Sequence, residues 1–461
     1  MDRPVSGKKQ RFRHIFAEGG VRVDNVRPQL KTCEGSSLAV SAEGLVAVPW
    51  TGGGGVGIFN LSSRRLPHEV PILLHQGGVL DLEFSSDGNI LLTGGDDGAV
   101  KLWRTDANES EISTTPLTTL AGVHARKVTS VRPNPVAGGV AVSASFDGSL
   151  ALWDLEIPNI PILAGKGCMD VFATQVAWNF LGSLLLINRS DKGVKLLDPR
   201  LGGLSRMDVG VSKCHDGVKG SRAAWLCGGG LSDDNYFVTC GFSADAKREF
   251  AIWDRRRLAN SVERQILDDN AGLITPHFDE YSGLTFLAGR GDGNVRIYEF
   301  KEGSLNYITD YRSQAAQKGL AFFPKRSVAT DKNEILKCVK LEVNAVSSLS
   351  FAVPRKSDLF QGDLYPPCAS GLNGITSKAW LGGMNGELKL LSLGKDGQHK
   401  TEAPGIIIQK APVLKENDDG VILELKSRIE QLENENRQLS AALIEEKQSN
   451  KHLRSQLNMQ A

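Results

Sequence analysis

The stretch SASFDGSLALWD, Ser143 to Asp154, holds two short strand-like runs around a Phe146-Asp147-Gly148 turn. In the second run Leu150 and Leu152 alternate with Ala151 and Trp153. An Asp-Gly pair between two such runs is a hairpin signal. One hairpin decides little, but a hairpin repeated at a fixed period marks a repeat architecture and sets the fold of the whole chain.

The chain does repeat it. LLTGGDDGAVKLWR, Leu91 to Arg104, is a close copy, with Trp103 fifty positions before Trp153. Weaker copies follow the same plan: WTGGGGVGIFN places Phe59 where the Trp would be, NRSDKGVKLLDP places Leu197, GFSADAKREFAIWD places Trp253, and AGRGDGNVRIYEF places Tyr298. The steps between these positions are 44, 50, 44, 56 and 45 residues. A WD40 blade of four antiparallel strands repeats at roughly 40–45 residues, so two blades carry insertions. The fold class predicted is all-β: a seven-bladed WD40 β-propeller.

Six copies lie between about Leu38 and Phe300, and a ring with an open blade would expose unpaired strand edges. RFRHIFA (Arg11 to Ala17), GLAFFPKRSV (Gly319 to Val328) and KCVKLEV (Lys337 to Val343) are expected to be strands of a seventh blade that joins the two ends of the propeller. His124, Ser143, Asp147 and Trp153 form an expected hydrogen-bonded set in the best blade, and His75, Thr93, Asp97 and Trp103 repeat it one blade earlier. Such a set satisfies buried polar groups and pins strand register. The alternative, a catalytic His/Asp pair, is weighed at roughly one to ten, because a pair that recurs with the repeat is explained by the repeat. The Gly-rich TGGGGVG, Thr51 to Gly57, lacks the Gly-Lys-Ser/Thr ending and following helix of a phosphate loop and reads as a blade turn.

Composition sets the limits. The chain has 461 residues, 41% hydrophobic and 23% charged, with 50 Gly and only 18 Pro, which suits a turn-rich folded protein. A formal net charge of +1 provides no global field toward nucleic acid or an anionic membrane, so a charged partner must meet a local patch. The seven Cys are scattered without a C-x-x-C, so neither a disulfide framework nor zinc is expected. No metal, cofactor loop or nucleophile–base pair stands out, and an enzyme is not expected. The opening MDRPVSGKKQRFRH is polar and basic, and no run reaches the roughly 18 apolar residues of a membrane span. The expectation is a cytoplasmic protein without membrane insertion.

From Asp418 the texture changes to an apolar period of 3.5 residues. Ile422, Ile429, Asn436 and Leu443 fall at position a, and Leu425, Leu432 and Leu439 at position d, a coiled-coil seam. Glu446 and Asn450 spoil its second half. RIEQLE places Arg428 at g and Glu433 at e, an arrangement associated with parallel trimers, whereas Asn436 at position a favours a dimer. The domain reading is residues 1–394 for the propeller and a C-terminal extension, 395–417 for a linker, and 418–461 for an α-helical coiled coil that makes a homo-oligomer.

Several segments together resemble the coronin family: RFRHIFA, GFSADAKREFAIWD, LITPHFDE, AGRGDGNVRIYEF, GLAFFPKR and above all PRKSDLFQGDLYPP, Pro354 to Pro367. The last is not explained by blade chemistry. The resemblance implies that this motif lies in an extension packed on the propeller, that the chain binds filamentous actin, and that it oligomerises through its coil, as many members do while acting with the Arp2/3 complex. The stretch between propeller and coil lacks a Trp-containing acidic tail, which leaves Arp2/3 an open partner. Arg27, in VDNVRPQL, occupies the place of an actin-binding arginine in the family, with Pro28 departing from the family pattern. Lys8, Lys9, Arg11, Arg13 and Lys31 complete an N-terminal basic set suited to an acidic filament. Arg255, Arg256 and Arg257 form a second, lower-weighted cluster. A general WD-repeat scaffold for peptide partners is the competing reading.

Overall fold

The computed structural model describes residues 11–29, 37–105, 112–156, 161–165, 169–201, 209–227, 234–357 and 359–394. The expected linker and coiled coil, with Ile422, Leu425, Arg428, Ile429, Leu432, Glu433, Asn436, Leu439 and Leu443, lie outside the described residues, as do Lys8, Lys9 and Lys31.

Seven four-stranded antiparallel sheets follow one another along the chain. Blade 1 is Ala39–Val40, Leu45–Trp50, Gly55–Asn60 and Ile72–Leu74. Blade 2 is Val79–Phe84, Ile90–Gly95, Val100–Arg104 and Thr118–Leu120; blade 3 is Val128–Pro133, Val140–Ser145, Leu150–Asp154 and Pro161–Gly165. Blade 4 is Ala173–Trp178, Leu185–Arg189, Val194–Leu197 and Gly210–Val211. Blade 5 is Arg222–Leu226, Tyr236–Phe242, Arg248–Asp254 and Glu263–Asp268; blade 6 is Ile274–Asp279, Leu284–Gly289, Asn294–Lys301 and Ser304–Arg312. The lower face carries the turns between first and second strands, and the upper face those between second and third.

Blade 7 closes the ring. Gly319–Phe322, Glu334–Leu341 and Ala345–Ala352 supply three strands, and the N-terminal Phe16–Asp24 pairs antiparallel with Ala345–Ala352 as the fourth. The expected strand at Arg11 to Ala17 is therefore displaced: pairing starts at Phe16, and before it Phe12 and Ile15 are side-chain anchors buried in the core. Likewise Gly319 to Val328 is a strand only to Phe322, because Pro324 lacks a backbone donor and starts a 3-10 turn over Lys325–Ser327. The Lys337 to Val343 strand runs instead over Glu334–Leu341.

The core is distributed. Among the described residues the buried apolar side chains form seven clusters, one at each blade interface. Both sheet faces of a blade pack on neighbours, so strands such as Leu150–Asp154 are buried at every position. The repeat position occupied by Phe59, Trp103, Trp153, Leu197, Trp253 and Tyr298 is buried in every case.

After Ala352 the extension crosses the lower face. Cys368–Ala369 pairs with Leu390–Leu391, Ile375–Thr376 runs parallel to Ala137–Gly138 of blade 3, and a short helix, Ser377–Leu381, follows, capped by Thr376. Trp380 is fully buried; its Nε1 donates to the Gly182 carbonyl of blade 4 at 2.9 Å, and its ring meets Trp178 edge-on at 5.7 Å. Ser377 donates to Asp154 at 3.0 Å, and the Ala369 amide donates to the Tyr281 hydroxyl of blade 6 at 3.0 Å. PRKSDLFQGDLYPP leads into this crossing and buries Leu364 and Tyr365.

If the extension is an integral strap, Trp380→Ala costs about 3–5 kcal/mol in denaturant unfolding. A change within about 0.5 kcal/mol, the range for a surface residue, would mark it as a loose tail.

Candidate functional site

Two of the expected polar sets form, on the upper side of blades 2 and 3. Thr93 Oγ1 lies 2.7 Å from His75 Nε2 and accepts from Trp103 Nε1 at 2.8 Å, while His75 Nδ1 faces Asp97 at 3.1 Å. Ser143 Oγ makes the same two contacts to His124 and Trp153, each at 2.7 Å. The last link differs between them. His124 Nδ1 meets Ser149 at 2.7 Å, and Ser149 in turn donates to Asp147, so a hydroxyl is interposed between His and Asp.

A third set was not legible in the sequence. His215 meets Thr239 at 2.9 Å and Glu249 at 2.8 Å, and Trp253 donates to Thr239 at 2.9 Å. Here Trp and Thr are 14 residues apart rather than 10, so the hairpin is longer by four residues and the acid comes from a strand instead of the turn. Spacing copied from the other blades misses it. Arg248, also buried, is paired with Asp268 of its own blade at 2.6 Å and ties blade 5 to blade 6 through Asp292 at 2.7 Å.

These groups belong to the scaffold. Burial pushes the Asp97 carboxyl up, but hydrogen bonds from His75, Gln76 and Ala99 outweigh it and hold the group at about 2. Burial pushes His124 down to about 4 against the pull of Asp147, and His277, stacked on Phe322 at 3.7 Å, is pushed down to about 4 by burial as well. Burial drives the Cys214 and Cys368 thiols up to about 12, which removes thiolate reactivity near neutral pH. Among the described residues no group of three or more His, Cys, Asp or Glu is arranged to hold a metal, and no helix is long and apolar enough to cross a membrane.

The basic N-terminal set does not stay together. Arg11 and Arg13 precede the closing strand and are exposed near the lower face. The Arg11 amide donates to Glu299 at 3.0 Å, and its guanidinium donates to the Asp363 carbonyl of the extension. Arg27 follows the strand on the upper face. The nine residues of Phe16–Asp24 put about 30 Å of extended chain between the two groups.

Arg27 is held by its backbone alone. Its carbonyl accepts from Thr51 at 2.9 Å, and the Gln29 amide donates to Pro49 at 2.7 Å, which bridges Pro28 to Trp50 in blade 1. Pro28 needs no donor in this bridge, which explains why proline is tolerated there. Val26 and Pro28 are buried on either side, while the Arg27 side chain is exposed and has no hydrogen bond or ion pair among the described residues. Arg22, within the strand, is by contrast committed to Glu342 at 2.7 Å and Asp24 at 2.9 Å. In the second cluster Arg255 pairs with Asp234 at 3.1 Å and Arg256 with Asp254 at 2.7 Å, so much of its charge is compensated.

Seven antiparallel blades, three of them pinned by Trp–Thr/Ser–His sets, make this a WD-repeat β-propeller protein. The WD domain, G-beta repeat family matches residues 70–104 and 114–154, and a further type of WD40 repeat matches 346–388, which takes in the end of blade 7 and the extension. The chain belongs to the coronin family: it is 32% identical over 447 residues to coronin-A of Dictyostelium discoideum, covering 93% of this chain and 96% of that protein. It is 32% identical over 400 residues to the coronin-like protein crn1 of Schizosaccharomyces pombe, covering 84% of this chain and 64% of that protein. The chain spans less than two thirds of the length of the fungal relatives it matches. The WD40 domain of Toxoplasma gondii coronin, a crystal structure, superposes with a TM-score of 0.75 at 30% identity, covering 85% of this chain and 98% of that one.

Thr239→Val strands both His215 and Trp253 and costs about 2 kcal/mol or more in denaturant unfolding. His124 and His277 have folded pKa values below the ordinary 6.5, so the unfolded chain takes up protons first as pH falls. Their contribution is complete above pH 6.5 and declines toward pH 4, by up to about 1.4 kcal/mol per pH unit for each histidine. His124→Asn flattens that limb in unfolding curves recorded against pH; an unchanged limb contradicts the assignment.

Proposed function

We propose that this chain binds actin filaments through the upper rim of its propeller, with Arg27 as the principal contact. What carries the reading is the combination of coronin membership with an exposed guanidinium presented on a fixed backbone and uncompensated among the described residues. An uncompensated cation on a fixed backbone gains from meeting a carboxylate, since the main chain is already ordered and no existing ion pair is broken. Lys31 follows four residues later and adds to the same contact. Arg11 and Arg13 lie at the other face, and with Lys8 and Lys9, which precede them in sequence, they contribute long-range attraction to the acidic filament.

The 418–461 helix supplies multivalency. A homo-oligomer built on Ile422, Leu425, Ile429, Leu432, Leu439 and Leu443, with Arg428 and Glu433 across the seam and Asn436 setting strand number, tethers two or three propellers. Tethering converts a second filament contact into an intramolecular event at raised effective concentration, which favours bundling. The reading places the protein in the cytoplasm on the actin cytoskeleton, with the Arp2/3 complex as a further partner.

Arg27→Asp lowers filament affinity at least about tenfold in co-sedimentation, and the loss shrinks as salt is raised. Arg13→Asp stays within about threefold. Equal pelleting of Arg27→Asp and the parent protein refutes the upper-rim contact, and failure of the parent to pellet favours the general scaffold. A chain ended after Asn417 keeps single-filament binding but loses low-speed bundling, and light scattering shows its mass fall to that of one chain. Undiminished bundling by the shortened chain refutes the role of the coil.

A further inference from the structure

The axial channel holds two cavities whose walls share Glu83, Arg132 and Gln175. The lower one, about 490 Å³, opens between the blade turns and the extension and is rich in aromatic rings, among them Trp178, Phe180 and Tyr281. Its charges are balanced, because Glu83, Asp279 and Glu280 stand with Arg132, Lys325 and Arg326. Lys325 donates to Asp279 at 2.8 Å, and Glu280 is pushed up to about 8 by burial, followed by the Asp279 charge. That wall selects neither sign of ligand.

The upper cavity, about 270 Å³, is different. Arg132, Arg222, Arg290 and Lys318 line it, and Glu83 is the one acid on its wall among the described residues. Arg132 belongs to the scaffold, since it donates to Asp81 and to the Val131 carbonyl, each at 2.5 Å. Burial pushes the Glu83 carboxyl up, with Arg132 opposing and Asp81 adding to the shift, so its ionised form is disfavoured. Asp292 and Asp268, the nearby acids of blades 5 and 6, are engaged by Arg248. Three cations are thus left facing one buried glutamate.

The donors on this wall sit on fixed main chain. Lys318 enters blade 7 with its amide bonded to the Leu341 carbonyl at 2.7 Å; its side chain is half-buried, and its ammonium has no hydrogen bond or ion pair among the described residues. Arg222, at the start of blade 5, is half-buried, donates to the Ser221 carbonyl at 3.0 Å and faces the same cavity. Gln175 of blade 4 accepts the Ala223 amide through Oε1 at 3.0 Å, which leaves its Nε2 as a donor with no acceptor among the described residues. Arg290 is exposed at the end of the second strand of blade 6, on the upper face. Leu38, Val40 and Leu320 add an apolar patch.

We propose that the upper channel cavity is a binding site for a small phosphomonoester, with Lys318 and Arg222 as its charge partners, Gln175 as a neutral donor and Arg290 drawing the anion in from the rim. A phosphomonoester carries nearly two negative charges and three acceptor oxygens, which matches an excess of cations joined by an amide donor. Charge-assisted hydrogen bonds are about twice as strong as neutral ones, and a partly enclosed pair is screened less by salt than a surface pair. The volume lies near the lower end of the range of small-ligand sites, so it suits a phosphate on a short stem.

The full chain is titrated by calorimetry in phosphate-free, low-salt buffer with propyl phosphate, with propanol as its neutral counterpart, and with a capped Gly-phosphoserine-Gly peptide. Propyl phosphate is expected to bind saturably at one site per chain and to weaken as salt is raised, and propanol is not expected to bind. Lys318→Gln is expected to weaken propyl phosphate at least about tenfold. Arg222→Gln is expected to weaken it several-fold and gives a second reading should the first variant not fold. Tighter binding of the peptide assigns the site to a phosphorylated side chain presented by a protein; tighter binding of propyl phosphate assigns it to a free phosphomonoester. Equal binding of propanol, unchanged affinity in folded Lys318→Gln or Arg222→Gln, or no saturable heat at millimolar propyl phosphate overturns the proposal.

Discussion

The structure depends on one strand pairing, that of Phe16–Asp24 with Ala345–Ala352. It joins segments more than 300 residues apart and converts a row of sheets into a ring. Without it blade 7 would be three strands with an open edge, and two interfaces would lose a wall. One holds Val23 and Val26 against Val46, Val48 and Val346; the other holds Phe12 and Ile15 against Phe286, Leu349 and Phe351. The register is strict at both ends, with a bulge between Gly19 and Arg22 absorbing a mismatch. The same pairing sorts the N-terminal charges, since Arg13 enters the strand from one face and Arg27 leaves it on the other.

Closure makes the remaining interactions cooperative. Each blade interface is a modest apolar wedge, and none is a core large enough to stand alone. Polar groups inside the blades then limit which packings are allowed. A Trp indole, a Thr or Ser hydroxyl and a His ring satisfy one another only in one register, and an error leaves buried donors unpaired. The extension adds a second closure on the lower face, where Trp380, Ser377 and Ala369 join blades distant in the chain. It also frames the mouth of the lower cavity, to whose wall Ala369 and Leu388 contribute.

The legible and illegible parts separate by the range of the interactions involved. The sets at His75 and His124 could be read because both keep the same 10-residue step from hydroxyl to Trp and nearly the same step back to His. The set at His215 could not, because four extra hairpin residues moved its acid to Glu249. Pro28, which breaks the family pattern, became intelligible only when its bridge to Trp50 was seen to need no donor. Arg11, Arg13 and Arg27 read as one basic group because nearness in sequence suggests nearness in space, and a nine-residue strand cancels that inference. Glu280 gave no signal at all: a single acid after Phe-Asp is ordinary until its neighbours are known.

By itself the sequence determined the blade period, the strand alternation, the large buried apolar residue, aromatic in five blades and Leu197 in the fourth, on the third strands of blades 1 to 6, and the family membership that those features and the intervening segments carry. These are local regularities, written in spacing and in side-chain type, and they hold wherever the blades end up. The tertiary structure alone decided which strand closes the ring, which face each arginine occupies, where the extension crosses, and that a carboxyl at Glu280 faces an aromatic cavity. Those outcomes depend on pairings between residues far apart in the chain, and burial and charge compensation are properties of the assembled neighbours, not of any residue's own chemistry.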